Sequence, residues 1–290
     1  MFSQSRFTGL QRQFNTKNCG QSETSVLERW RKQTNMSAFT KSFVSLARRR
    51  VFSRSIRQHS SVTTELMENM DKKSAWDRFY SETSSRNPNF KNFEWFFGFD
   101  AVQDFIMPLL QTASRPHSPL HVLDMGCGTS ALGPCIYRDS VLPVRVTCAD
   151  ISPVAVRLMR EHVQAEAIQP HDVSSHIEFL ELDCTQLDTY YGSNSLDLIV
   201  DKGTTDALLR SKEGTEKAGL VLKQCLRVLR TSGSLLQFSD EDPDARLVWL
   251  ETAARDQGLV AADVGVQEVG VLRGVCYYCY QVTLHQDVNK

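Results

Sequence analysis

Val122-Leu-Asp-Met-Gly-Cys-Gly-Thr-Ser130 is the stretch that decides the fold of this chain of 290 residues. Val122 and Leu123 close an apolar strand, while Gly126 and Gly128 allow the backbone to turn tightly and to approach a ligand. The polar residues that follow open a helix whose unpaired N–H groups face the loop. A strand, a glycine turn and a helix in this order predict a binding loop for a nucleotide-type cofactor.

The glycine spacing alone leaves two cofactors open. Gly126, Gly128 and Ala131 fit the G-x-G-x-x-G/A pattern of dinucleotide-binding folds, which would indicate NAD. Asp124 argues against NAD, because a carboxylate here would repel a pyrophosphate by on the order of 4 kcal/mol at an effective dielectric constant of about 20. S-adenosylmethionine carries an ammonium and a sulfonium and no phosphate, so the same acid attracts it. We therefore expect S-adenosylmethionine, and Asp-x-Gly-Cys-Gly-Thr resembles motif I of the class I methyltransferases.

Strand-like segments alternate with helical ones along the chain. The predicted parallel strands are residues 120–124, 144–149, 177–183, 196–201 and 234–239. Such alternation predicts a parallel sheet with helices on both faces. Two further strand-like runs, 260–269 and 275–284, are joined only by residues 270–274, so they can form only an antiparallel pair. The sequence therefore predicts an α/β, Rossmann-like fold with the seven-strand class I methyltransferase plan, a mostly parallel sheet with a terminal antiparallel hairpin.

Four acidic residues stand where predicted strands end, which is the ligand-binding edge of an open parallel sheet. Asp124 is placed to meet the ammonium of the methionine part, and Asp150 to accept hydrogen bonds from both ribose hydroxyls. Asp183, with Cys184 beside it, is placed to accept a hydrogen bond from the adenine amino group. Asp201 ends the fourth strand and is expected to face the transferable methyl group. A helix cap or a solvated loop acid is the alternative for each of the four.

Aromatic residues are concentrated at 74–80 and 93–100, before the first predicted strand. Trp76, Tyr80 and Trp95 are among them. One interpretation is a segment that packs on the sheet as a cap. The other is a lid whose rings close over the cofactor.

The stretch Asp201-Lys-Gly-Thr-Thr-Asp206 indicates what is methylated. Enzymes that methylate planar amino groups commonly carry an Asn/Asp-Pro-Pro-aromatic run here, and this chain does not. Instead, this stretch, Trp76-Asp-x-x-Tyr80 and Phe93-Glu-Trp-Phe-Phe-Gly98 resemble a subgroup of the seven-strand protein lysine methyltransferases. Residues 237–246, Gln-Phe-Ser-Asp-Glu-Asp-Pro-Asp-Ala-Arg, are similar to members of that family that act on mitochondrial citrate synthase. The resemblance runs from about residue 75 to the C-terminus and implies a lysine of citrate synthase as the acceptor.

The family resemblance also implies which residues contact the cofactor, and it favours the lid. The implied contacts are Trp76, Tyr80, Trp95, Gly126, Asp150, Asp183, Cys184 and Lys202. Methyl transfer needs a neutral lysine amine, and an ordinary lysine pKa of about 10.4 leaves a deficit of roughly 4 kcal/mol at neutral pH. Asp201 and Asp206 are expected to orient the amine and to accept its proton through water. The alternatives are a methyltransferase of RNA or of a small molecule, and a non-catalytic cofactor-binding assembly factor.

Two pairs of residues have spacings that are typical of metal sites, but we expect no metal. His171 and His176 match half of a zinc pattern without a nearby cysteine pair, so a surface loop is the preferred interpretation. Cys276 and Cys279 fall inside an apolar predicted strand, where residues three apart point to opposite faces. We expect a structural role for both cysteines.

The first 62 residues are basic and rich in serine. They contain 12 Lys and Arg against 2 acids, a charge of +10, which leaves −11 for the rest of a chain whose net charge is −1. This composition predicts a mitochondrial transit peptide and a location in the matrix, and the alternative is a basic arm that binds nucleic acid. We divide the chain into a leader at 1–60, a helical and aromatic cap at 61–113 and a methyltransferase domain at 114–290. We expect no nucleic-acid partner and no membrane span.

Overall fold

Seven strands pair into one sheet in the computed structural model, which describes residues 61–86, 93–112, 118–256 and 262–284. The strands are β1 (Leu120–Met125), β2 (Val144–Asp150), β3 (His176–Glu181), β4 (Leu196–Lys202), β5 (Leu229–Ser239), β6 (Ala262–Leu272) and β7 (Val275–Leu284). Their order across the sheet is β3-β2-β1-β4-β5-β7-β6. Strands β1 to β5 run parallel, and β7 lies antiparallel to both β5 and β6. The predicted Rossmann-like, seven-strand plan is confirmed.

Helices cover both faces of this sheet. They are α1 (Ser61–Glu68), α2 (Lys73–Arg86), α3 (Gln103–Thr112), α4 (Leu132–Asp139), α5 (Pro153–Ala165), α6 (Thr204–Leu209), α7 (Lys212–Val228) and α8 (Pro243–Asp256). Val122 of β1 belongs to a core cluster with α3 and α4, whereas its neighbour Leu123 belongs to a second cluster with α7 and α8. Successive side chains of a strand point to opposite faces, so both faces of β1 are buried.

The strand order reverses between β1 and β4, and this reversal positions the site. The chain moves outward through β2 and β3 and then returns to the other side of β1. Met125 at the end of β1 lies in register with Asp201 near the end of β4. The loops that follow these strands therefore leave from adjacent strand ends, where ligands bind in open α/β sheets. A third core cluster joins α1 and α2 to α5 and α6.

The third strand is shorter than predicted. β3 ends at Glu181, two residues before Asp183. The Asp183 carboxylate instead accepts hydrogen bonds from the backbone and the hydroxyl of Thr185, at 2.9 and 2.7 Å. It thereby caps a 3-10 helix, Cys184–Thr189. The prediction that Asp183 ends the strand is wrong, because a capping acid satisfies the free N–H groups of the next turn.

The terminal hairpin is tighter than the predicted loop at 270–274. β6 continues to Leu272, past an irregularity between Glu268 and Gly270. Arg273 and Gly274 then form the turn, and both have positive φ, at 55° and 75°. A two-residue hairpin turn of type I′ needs positive φ at both central positions, and Arg273 and Gly274 meet this requirement. The connection is therefore two residues long rather than the five from Gly270 to Gly274.

Two helices begin as their sequences predict. The Ser152 side chain accepts a hydrogen bond from the Ala155 N–H at 3.4 Å, and α5 begins with Pro153. At the start of α8, the Asp242 carboxylate accepts from the Asp244 N–H at 2.9 Å. Both starts follow the preference for a polar cap followed by proline.

The remaining predictions concern the leader, the cysteines and membranes. The predicted leader at 1–60 lies outside the described residues. Cys276 and Cys279 both lie in β7, where Cys279 is buried and neither forms a disulfide. Of the helices in the described ranges, none is long and apolar enough to cross a membrane. Nor do these ranges contain a cluster of His, Cys, Asp and Glu side chains suited to a metal ion.

Candidate active site

A cavity lies at the carboxyl ends of β1, β2 and β4, where the strand order reverses. All the residues that were predicted to contact the cofactor line it. They are Trp76, Tyr80, Trp95, Asp124, Gly126, Gly128, Asp150, Asp183, Cys184 and Lys202. The fold thus brings together residues that are spread over more than a hundred positions of the sequence. Their predicted contacts with a cofactor stay predictions.

The glycine loop needs glycine at both of its positions. Gly126 and Gly128 have φ of +62° and +53°, a conformation that favours glycine. A Cβ at Gly126 would lie 1.9 Å from Oγ1 of Thr204, and one at Gly128 would lie 2.5 Å from the Tyr80 hydroxyl oxygen. The Thr204 hydroxyl also donates to the Met125 carbonyl at 3.0 Å, which joins the start of α6 to the end of β1, next to the glycine loop.

Asp124 is a buried carboxylate in the wall of the cavity. It is 2% exposed, and its Oδ2 accepts a hydrogen bond from the Gly133 N–H at 3.0 Å. Burial raises the pKa of Asp124 to about 7, and the positive charge of Lys202 offsets part of this effect. A cationic ligand stabilises such a carboxylate in its ionised form. The position therefore fits the ammonium group of S-adenosylmethionine.

Asp150 ties the glycine loop to the start of α5. Its Oδ2 accepts from the Gly128 N–H and its Oδ1 from the Ser152 N–H, each at 2.8 Å. Burial raises the pKa of Asp150 to about 6. Each carboxylate oxygen can accept more than one hydrogen bond, so both retain capacity for hydroxyl donors. This arrangement fits a pair of ribose hydroxyls.

Asp183 and Cys184 line the cavity on the side of β3. Both hydrogen bonds that Asp183 accepts from Thr185 go to Oδ1. Burial raises the pKa of the Cys184 thiol, so the group is neutral at physiological pH. Cys184 therefore contributes an apolar wall, while Asp183 fits an amino donor such as that of adenine.

Aromatic rings form another part of the cavity wall. Trp76 stacks on Tyr80 with ring centroids 5.9 Å apart and meets Trp95 edge-on at 6.1 Å. The Trp76 indole N–H donates to the Met70 carbonyl at 2.8 Å, which fixes the ring plane. Phe93 adds a further ring to the wall. The rings thus pack with one another and line the cavity, and opening and closing as a lid stays a prediction.

Glu94 is a residue of this site that the sequence reasoning missed. Lys202 donates to Glu94 Oε2 at 2.8 Å, and also to the carbonyls of Trp95 and Phe97 at 2.9 and 3.1 Å. Glu94 and Lys202 are separated by 108 positions. The available signal was an acidic residue, Glu94, within a run of aromatic residues. The spacing of nearby residues does not indicate that Lys202 is its partner.

Asp201 does not line the cavity, contrary to its predicted position facing the transferable methyl group. It is 1% exposed. Its carboxylate accepts from the N–H of Thr204 at 2.8 Å and from the amide of Gln237 at 3.1 Å. Burial raises the pKa of Asp201 to about 6. The free N–H groups at the start of α6 attract this acid, so it positions the loop from behind.

Asp206 is also not among the residues that line the cavity. Its carboxylate accepts from the Ser239 hydroxyl at 2.6 Å and forms a buried ion pair with Arg246. The Arg246 guanidinium is 1% exposed and lies 5.5 Å from the centre of the Trp249 ring. Arg246 was not predicted as part of the site, because an arginine in the first turn of a surface helix is usually solvated.

Comparison with known proteins relates the chain to methyltransferases. A family model described as a methyltransferase domain matches residues 116–263. The citrate synthase-lysine N-methyltransferase, mitochondrial, of Danio rerio is 64% identical over 225 residues, covering 77% of this chain and 88% of that protein. The Homo sapiens protein of the same name is 43% identical over 211 residues, covering 71% of this chain and 84% of that protein. EEF1A lysine methyltransferase 4 of Bos taurus is 28% identical over 180 residues, covering 59% of this chain and 62% of that protein.

Proposed function

The chain belongs to the citrate synthase-lysine N-methyltransferase family, and from this membership we propose that it methylates a lysine of citrate synthase with S-adenosylmethionine. Relatives are named as mitochondrial proteins. The basic leader favours the matrix as the location. The proposed acceptor is a protein side chain rather than a nucleic acid.

One observation carries the choice of cofactor: three carboxylates converge on one cavity beside the glycine loop, and two of them, Asp124 and Asp150, are buried. Asp124, Asp150 and Asp183 line it at the ends of three neighbouring strands or just beyond them. A cationic nucleoside can pair with Asp124 through its ammonium group and with Asp150 through its ribose. A dinucleotide would bring a pyrophosphate against Asp124, where like charges repel.

Bound S-adenosylmethionine supplies an electrophilic methyl group on a positively charged sulfur. The contribution of the chain is to hold that group and the lysine amine in line, since alignment of reactants lowers the barrier substantially. Trp76, Tyr80 and Trp95 exclude water from the cavity wall. Exclusion of water and a neighbouring positive charge both lower the pKa of a lysine ammonium, which favours the neutral amine.

Asp201 and Asp206 act in this proposal from behind the loop after β4. Asp201 caps α6 and so fixes Thr204, which lines the cavity. Asp206 precedes Ala207, another residue of the cavity wall. We assign both residues to positioning of the loop, Asp201 through its bond to Thr204 and Asp206 through its ion pair with Arg246, rather than to acceptance of the amine proton.

Labelling of a mitochondrial matrix extract tests the substrate class. The extract is incubated with the purified protein and S-adenosylmethionine carrying a tritiated methyl group, and protein and RNA are then separated. We expect the label in a protein band of citrate synthase. Label in RNA or in small molecules, with none in protein, would contradict the proposal.

A further inference from the structure

We propose that Glu94 and Lys202 are positioning residues for the cofactor, and that the Lys202 ammonium acts on it by holding Trp95 in the aromatic wall rather than by bonding to it. The pair joins the end of β4, the aromatic wall and the start of α4. This inference rests on the proposed function, because it takes the cavity to be the cofactor site.

The hydrogen bonds of Lys202 leave it no donor for a ligand. A lysine ammonium has three donors and no acceptor. In Lys202 these reach Glu94 Oε2 at 2.8 Å, the Trp95 carbonyl at 2.9 Å and the Phe97 carbonyl at 3.1 Å. Its side chain is 5% exposed. Direct binding of a cofactor carboxylate would therefore require one of these three bonds to break.

Glu94 extends the same connection to the glycine loop. Its Oε2 accepts from the Ser130 hydroxyl and its Oε1 from the Ala131 N–H, each at 2.8 Å. Ser130 and Ala131 lead from the loop into α4, where the helix dipole favours a negative charge. One carboxylate thus holds the Trp95 segment to the glycine loop and to the lysine at the end of β4.

The backbone on both sides of this pair is closely packed against the Trp95 ring, so the pair cannot be rearranged unless the ring or the backbone moves. Gly203, next to Lys202, has φ of +90°, and a Cβ there would lie 2.6 Å from Cδ1 of Trp95. Phe96 has φ of 69°, which is costly for a bulky residue. Anchored carbonyls on either side of Phe96, at Trp95 and Phe97, hold this conformation. Release of the pair should therefore displace the Trp95 ring from the cavity wall.

The test measures cofactor affinity for Glu94→Gln, Lys202→Met and the double variant by isothermal titration calorimetry with S-adenosylmethionine. Glu94→Gln removes the charge that pairs with Lys202 while retaining the shape of the side chain. We expect each single variant to raise the Kd at least about tenfold, equivalent to roughly 1.4 kcal/mol. The double variant should bind no more weakly than the weaker single variant, because residues that act as one unit are non-additive. Glu161→Gln, in the exposed Arg157–Glu161 pair, is the matched control and should bind normally.

Steady-state kinetics separates positioning from general loss of structure. The variants should raise the KM for S-adenosylmethionine and leave the KM for citrate synthase unchanged, whereas partial unfolding would lower kcat alone. A Kd for S-adenosylmethionine in Glu94→Gln equal to that of the unaltered protein would overturn the inference. This result would be decisive even if Lys202→Met does not fold. Additive losses in the double variant would overturn it as well. Affinity measurements do not depend on the acceptor, so failure to methylate citrate synthase would refute the proposed function and leave this inference standing.

Discussion

At the scale of single residues, Asp124 has the most consequential environment. Burial raises its pKa to about 7, against about 3.9 in an unfolded chain. Between these values the folded protein binds a proton that the unfolded protein does not. The stability that this proton contributes is present in full below about pH 4 and is lost as the pH rises through about 7. Near pH 7 Asp124 is therefore only partly ionised in the ligand-free protein, and a cationic cofactor would favour its ionised form.

Asp124→Asn should make both stability and binding less dependent on pH. We expect the thermal midpoint of the ligand-free variant to fall less between about pH 5 and pH 8 than that of the unaltered protein. The unaltered protein should lose cofactor affinity as the pH falls below about 7, because protonation removes the charge that attracts the ammonium. Differential scanning calorimetry and titration at several pH values measure the two effects. Identical pH profiles for the variant and the unaltered protein would refute the role given to Asp124.

Gly126 is the residue at which shape, rather than charge, should matter most. Gly126→Ala would force a Cβ to within 1.9 Å of Thr204 and place alanine at φ of +62°. We expect loss of measurable cofactor binding and a lower thermal midpoint, since both the loop after β4 and the glycine loop must move. Gly192→Ala is the control, because nothing lies within 4 Å of a Cβ at that position. Equal behaviour of the two variants in thermal shift and titration would show that the close approach is unimportant.

At the scale of elements, α6 depends on buried charge for its position. Asp201 caps it, and Asp206 joins it to α8 through Arg246. Helices of this length gain little stability by themselves in water. The ion pair therefore holds part of the cavity wall in place.

Arg246→Met should destabilise the fold strongly because it leaves Asp206 buried without its counter-charge. Loss of one partner of a buried pair typically costs about 3–5 kcal/mol. We expect a decrease of that size in the free energy of unfolding measured with urea, and partial recovery in the Arg246→Met, Asp206→Asn double variant. Arg157→Met, at an exposed pair, should cost less than about 1 kcal/mol. A similar small effect at both positions would contradict the structural role of the Arg246–Asp206 pair.

Elements whose sequence signals are local could be predicted well. β7 occupies the predicted residues 275–284, and α5 begins at its predicted cap. The end of β3 could not be predicted, since Asp183 suits a strand end and a turn cap equally well. The turn at Arg273 was missed because positive φ is uncommon for residues other than glycine, asparagine and aspartate.

At the scale of the whole molecule, the sequence predicts the sheet and the floor of the cavity but not the connections across it. Strand ends of a parallel sheet share one edge, so Asp124 and Asp150 could be placed together from the alternation of elements alone. The pairing of Glu94 with Lys202 and that of Asp206 with Arg246 could not, because each depends on how separate segments pack. For the same reason Asp201 was expected in the cavity, whereas its buried carboxylate accepts hydrogen bonds from the N–H groups at the start of α6.

The family assignment and the cavity together predict one chemical product, and mass spectrometry of citrate synthase tests it most directly. Purified citrate synthase is incubated with the protein and with S-adenosylmethionine carrying a trideuterated methyl group, and its peptides are then mapped. We predict trideuteromethyl groups on a lysine side chain, and their loss when Asp150→Asn replaces the unaltered protein. Unlabelled citrate synthase, after incubation with protein that demonstrably binds S-adenosylmethionine, would contradict the proposed function.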